Sequence, residues 1–203
     1  MPSITKKENF AKRGQRLMRW TRRVLLMSGV LALTYVGLTL LEGKIYQDRA
    51  VSILEEQIHA QGQHETGLPN LVVKEGDVLG RIEIPRIGVS VVVLEGTSSE
   101  TLRHGVGHIE GTALPGGPGN IGIAGHRDTY FRGLKDIRAN DEIQIQTASG
   151  ITRYEVDWIQ ITVPSDVAIV PPATESALTL VTCYPFHFIG AAPERFVVHA
   201  HKQ

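Results

Sequence analysis

This sequence predicts a mostly β domain, a closed barrel or a sandwich, standing behind an N-terminal transmembrane helix. Three observations lead there. Residues 24–41 form an uncharged apolar run directly after a basic tip. From Gly80 onward the chain is a succession of short β-like segments separated by turn residues. Few helical periods interrupt them, the pattern of all-β architectures.

The tip and the run come first. Of 203 residues, 21 are Lys or Arg and 21 are Asp or Glu, yet the charges are unevenly placed. Lys6, Lys7, Lys12, Arg13, Arg16, Arg19, Arg22 and Arg23 face a single acid, Glu8, within residues 1–23. That segment is +7 and the remainder −7. A basic segment can bind nucleic acid, but this one leads straight into the apolar run, so no nucleic-acid partner is expected. Eighteen helical residues rise about 27 Å, close to the hydrocarbon thickness of a bilayer. A buried core helix would carry a polar stripe. A signal peptide has an apolar part of only about 7–15 residues and a small-residue cleavage site. Here Glu42-Gly43-Lys44-Ile45-Tyr46 follows, so an uncleaved anchor is expected. The excess of Lys and Arg places residues 1–23 in the cytoplasm and everything after Leu41 outside, as a single-pass protein of the cytoplasmic membrane. Trp20 and Tyr46 sit where interfacial aromatics belong.

Residues 42–75 read as a stalk or linker. Ile45, Ala50, Ile53, Leu54 and Ile58 recur at loosely helical spacing, as in a stem that leans on the following domain. A polar stretch, 61–70, with Gly67 and Pro69, breaks the pattern. Residues 76–203 are one domain of ordinary size. Strands are expected at 81–84, 89–94, 121–124, 142–146, 154–163, 177–182 and 196–200. Turns come from Pro115 to Gly119, from Ser149-Gly150 and from Pro171-Pro172. Residues 98–104 and 129–135 look like single helical turns. A barrel has no free edge, which suits a monomer beside a membrane.

Cys183 is the only cysteine, so no intramolecular disulfide exists. Count alone favours a small buried hydrophobe. Context favours chemistry. An apolar strand, Thr179-Leu180-Val181-Thr182, ends at Cys183, and Pro185 forbids its continuation as a central strand. Another strand ends at Gly125 and delivers His126 to a loop. Arg195 opens the last strand. Strand ends are where a rigid scaffold hands reactive groups to solvent. A thiol of ordinary pKa near 8.5 is a few per cent thiolate at neutral pH and benefits from a base or cation. His126 can be that partner and can later protonate a leaving amine. Arg195 offers a permanently charged fork of donors for a carbonyl or oxyanion.

These segments resemble the signature of the sortase family, cysteine transpeptidases. The resemblance rests on TLVTC at 179–183, IAGHRDTYFRGL at 123–134 and APERFVV at 192–198, behind an N-terminal anchor. The GHRDTYF and TCYPF forms, with twelve residues from Cys183 to Arg195, are most similar to class D. It covers residues 76–200. The resemblance implies a closed eight-stranded β-barrel with short helical turns. It implies that Cys183 attacks an LPxTG-like signal at the C-terminus of a secreted protein and forms a thioester. An amine, from a cell-wall precursor or a pilin lysine, then resolves it. Catalytic roles fall to Cys183, His126 and Arg195, and substrate contact to Thr182. No cofactor and no metal are implied.

Other residues invite plainer readings. His108, in Gly107-His108-Ile109, matches a second histidine of related sequences and reads as loop-fixing. His199, His201 and His187 do not make a metal site, because no second cysteine accompanies them and adjacent strand positions alternate in face. Asp128 reads as the cap of a turn beginning at Thr129 rather than as a triad acid. Trp158 and Ile159 read as barrel packing. An L,D-transpeptidase is the alternative enzyme, but it requires Gly before the cysteine and Arg two residues after, where this chain has Thr182 and Pro185. A papain-like protease requires a helix carrying the cysteine. A membrane-tethered binding domain with an inert Cys183 is the non-enzymatic alternative.

Overall fold

The computed structural model describes residues 4–61, 73–164, 176–188 and 190–203. The expected breaks at 62–70 and at Pro171-Pro172 lie outside the described residues. The chain divides into two compact units, Met1–Ile45 and Tyr46–Gln203.

The first unit belongs to α1, a helix spanning Ile4–Gln61. The expected anchor and the first part of the expected stalk, through Gln61, are one continuous helix. Its segment Met18–Ile53 is, by length and composition, long and apolar enough to cross a membrane. Leu25, Leu31, Leu33 and Tyr35 are fully presented to the surroundings. Two of its hydroxyls bond to the helix's own backbone: Ser28 donates to the Leu25 carbonyl at 2.9 Å and Thr34 to that of Val30 at 2.9 Å.

The second unit is a closed barrel of eight strands. They are β1 (Val78–Ile84), β2 (Val89–Glu95), β3 (Val106–His108), β4 (Asn120–Gly125), β5 (Glu142–Thr147), β6 (Gly150–Thr162), β7 (Ala177–Tyr184) and β8 (Glu194–Lys202). The order around the barrel is β1-β2-β3-β4-β7-β8-β6-β5. β2–β3 and β4–β7 pair in parallel, and the other neighbours are antiparallel. Inward positions alternate along each strand. Ile82, Ile84, Ile121, Ile123, Ile143, Ile145, Leu178, Leu180 and Val198 fill the core. A short helix α2 (Thr101–His104) and a 3-10 turn at Arg132–Asp136 are the two expected helical turns.

Three differences from the sequence reading have physical causes. β3 is only three residues long, too short to show alternation, and it is flanked by glycine. β6 begins at Gly150 rather than 154, because Thr147 and Gly150 close a tight hairpin. Trp158 is not core: it is 41% exposed, while Ile159 packs against the core. A bulge between Val156 and Trp158 accompanies this, and Trp158 stacks on the His199 ring at 4.9 Å on the outer face.

Asp141 is nearly buried and receives both nitrogens of an Arg86 fork, Nη2 at 2.5 Å, plus the Arg138 N–H at 2.8 Å. The bonds from Arg86 hold its carboxyl below the ordinary value of 3.8, outweighing the opposing effect of burial. A depressed folded-state value stabilises the fold above the unfolded pKa, and that contribution is lost as pH falls through the folded value. Asp141→Asn is therefore expected to lower Tm by several degrees at pH 7, with the gap from wild type closing below about pH 4. Thermal melts of both proteins from pH 3 to 7 check it. A gap independent of pH would reject the ion pair as its source.

Candidate active site

The register of three neighbouring strands brings the expected residues together. In the parallel pair β4–β7, Gly125 lies beside Thr182, so His126 and Cys183 are the next residues at the same end. In the antiparallel pair β7–β8, Cys183 lies directly opposite Arg195. Neighbouring strands are about 4.8 Å apart, so all three residues share one edge of the barrel.

They also share a face. On β7, Leu178, Leu180 and Thr182 point inward; on β8, Phe196, Val198 and Ala200 do. Cys183 and Arg195 therefore stand on the outer face. Cys183 is half-buried and is the only thiol. His126 is exposed, and its ring makes no hydrogen bond among the described residues. Arg195 uses Nη1 on the carbonyls of Glu194, at 2.9 Å, and Ala192, at 3.3 Å. Its Nε and Nη2 make no bond among the described residues.

Thr182 is 2% exposed, and its hydroxyl donates to the Gly125 carbonyl at 2.7 Å. That bond ties the two parallel strand ends directly beneath the thiol. The Thr182 hydroxyl is thus engaged within the barrel. Gly125 is tightly enclosed: a Cβ there would lie 2.6 Å from the Phe131 ring. The turn after it folds back, the Phe131 N–H donating to the His126 carbonyl at 3.1 Å, with Phe131 fully buried. Under Cys183 and Arg195, Tyr184, Phe186 and Phe196 form an aromatic plug, with Phe186 and Phe196 at 5.1 Å and 68°. β7 ends there, with a cis peptide at Tyr184–Pro185.

A Sortase-domain family model matches residues 82–203 of this barrel. The chain belongs to the sortase family. Sortase D of Bacillus subtilis (strain 168) is 34% identical over 128 residues, covering 63% of this chain and 65% of that protein. Sortase SrtE1 of Streptomyces coelicolor is 29% identical over 185 residues, covering 80% of this chain and 51% of that protein. The chain thus spans less than two thirds of the length of these relatives. Among solved structures, a Clostridium perfringens Sortase D5 transpeptidase superposes with a TM-score of 0.65 at 30% identity, covering 78% of this chain and 98% of that one. A sortase C of Clostridium perfringens with the C-terminal cell wall sorting motif gives 0.61 at 28% identity, covering 77% and 89%. The class D resemblance and the eight-stranded barrel both agree with these likenesses.

Against this sortase frame the remaining residues find their places. His108 is 2% exposed and fixes a loop: Nδ1 lies 2.8 Å from Glu95, and Nε2 lies 3.0 Å from the Ala113 carbonyl and 2.9 Å from the Thr112 hydroxyl. His199 and His201 both turn Nδ1 toward Asp157, at 2.9 and 2.6 Å. His187 lies apart from them, exposed in the β7–β8 connection. Asp128 is exposed and its carboxylate makes no hydrogen bond among the described residues, and the 3-10 turn starts at Arg132 with Phe131 before it, so the expected cap is not formed. Tyr46 stacks on His104 of the barrel unit rather than lying free. Arg127 escaped the sequence reading, although it stands in the GHRD motif. Its Nη2 donates to the carbonyls of Phe188, at 2.7 Å, and Gly190, at 3.0 Å. It thereby ties the segment after His126 to the connection between Cys183 and Arg195.

Proposed function

We propose that this chain is a cysteine transpeptidase, anchored in the cytoplasmic membrane by residues 24–41 with its N-terminus inside. It cleaves an LPxTG-like signal at the C-terminus of a secreted protein and passes the acyl group to an amine. The observation that carries the reading is the register: Cys183 opposite Arg195, and beside the strand end that delivers His126. The Clostridium perfringens sortase C with the C-terminal cell wall sorting motif supports the substrate class.

In this reading the Cys183 sulfur attacks the carbonyl carbon of the signal's threonine. Negative charge develops on the carbonyl oxygen, and the Nε and Nη2 donors of Arg195 stabilise it. The C–N bond to the next residue breaks, and His126 gives its proton to the departing amine. A thioester remains on Cys183. The second amine, from a cell-wall precursor or a pilin lysine, then attacks the thioester and loses its proton to His126. The new amide leaves and the thiolate returns. Thr182 holds the two strand ends in register beneath the sulfur.

Incubating the full chain with an LPxTG peptide and trapping it in acid is expected to give a mass adduct equal to the acyl fragment, located on Cys183. A folded protein without the adduct, whose Cys183 also resists iodoacetamide, would instead be the tethered binding domain.

A further inference from the structure

The second unit begins within α1, and its first turns are held on the barrel by specific bonds. Ala50 is 2% exposed against Val92 and Leu94, with Tyr46, Val51 and Val78 around it. Gln47 works at both ends of its amide. Its Oε1 accepts the Val92 N–H at 3.2 Å, and its Nε2 donates to the His104 carbonyl. The Tyr46 ring lies on the His104 imidazole at 4.4 Å and 27°.

The same spot receives the turn that carries His126. Tyr130 donates its phenolic hydrogen to the Arg103 carbonyl at 3.1 Å. Burial pushes that phenol above its ordinary value, against a smaller opposing effect of the nearby Gln47 amide. Arg103 and His104 end α2, and the last carbonyls of a helix lack partners within it. Here one carbonyl is satisfied from the stem and the next from the His126 turn. α2 is thus the shared joint between them.

The turn has little other freedom. Phe131 is locked in the core against Gly125, and its N–H closes back on the His126 carbonyl. Tyr130, one residue earlier, ties the turn to α2, as Arg127 ties it to the β7–β8 connection.

We infer that Gln47 and Tyr130 are positioning residues for His126, fixing its turn to the stem helix through the end of α2. Neither is bonded to Cys183 or to the His126 ring among the described residues. This rests on the reading of His126 as acid and base. Its consequence for the reaction is specific: loosening the joint widens the range of positions His126 visits and slows proton transfer, while the signal still binds.

The test uses the full chain in lipid nanodiscs, with Gln47→Leu, which removes the amide at similar size, and Tyr130→Phe, which removes one hydroxyl. Two quantities are read: hydrogen exchange at the Phe131 amide, and kcat and KM for signal cleavage. Both variants are expected to exchange Phe131 about five- to tenfold faster and to lower kcat by a similar factor with KM unchanged. The double variant is expected to be little worse than Tyr130→Phe alone, because the two share one joint. Unchanged exchange at Phe131 in both variants would overturn the link. Faster exchange with unchanged kcat would overturn the positioning role and leave a structural contact. A wild type that turns over no peptide and forms no adduct on Cys183 would sink the transpeptidase reading instead. Phe131 exchange would still decide whether stem and turn are joined.

Discussion

Cys183→Ala is expected to lose peptide cleavage to background, a fall of roughly 10⁴-fold or more, while melting close to wild type. The two halves of that result have separate causes. Chemistry fails because no other thiol exists in the chain and no hydroxyl replaces it: the adjacent Thr182 points inward, with its hydroxyl bound to the Gly125 carbonyl. The fold survives because Cys183 stands half-buried on the outer face, outside the core cluster. Steady-state cleavage assays beside a thermal melt check both. Residual turnover at a tenth of wild type would remove Cys183 from the mechanism. Lost activity with a collapsed melt would say instead that the residue is structural.

His126→Ala and Arg195→Ala are each expected to lower kcat/KM by about 10²–10³-fold, the cost of a general acid–base or an oxyanion donor. They should differ in form. Arg195→Lys should recover little, because a point charge does not reproduce a planar fork whose Nη1 is already engaged by the Glu194 and Ala192 carbonyls. The loss should appear in the acylation rate of a single turnover. For His126→Ala, leaving groups that need no proton, such as an activated thioester of the signal, should restore acylation and expose the missing acid. Wild-type rates in either alanine variant would exclude that residue.

Much of this site could be read from the sequence because strand ends announce themselves. Pro185 stops one strand at Tyr184, Gly125 stops another, and Arg195 sits at the start of a third. What the spacing could not give is that these strands are neighbours. His126 and Cys183 are 57 residues apart, and only the parallel pairing of β4 with β7 joins them. The family resemblance supplied that step. Residues that act through tertiary contacts stayed hidden for the same reason. Gln47 looks like any polar position on a stem helix, and its partners Val92 and His104 are far away in sequence. Arg127 looks like a surface charge beside His126 until the β7–β8 connection is laid against it. Trp158 misled because a large aromatic in a β-rich segment is usually buried, and the bulge ahead of it has no sequence mark.

The shortest strand leaves one more consequence. β3 matches only three residues of β2 and two of β4, so the hoop of backbone bonds is thinnest there. Side chains make up the deficit: His108 grips Glu95 across one seam and Ala113 and Thr112 across the other, while Thr112 also receives the Gly122 N–H at 3.0 Å. Local opening begins where few bonds must break together, so the cask should leak first at this stave. Cys183 and Arg195 stand on β7 and β8, and His126 directly follows β4, strands whose longer pairings outlast it. Heat can therefore loosen the protein at one place while the reactive edge keeps its shape.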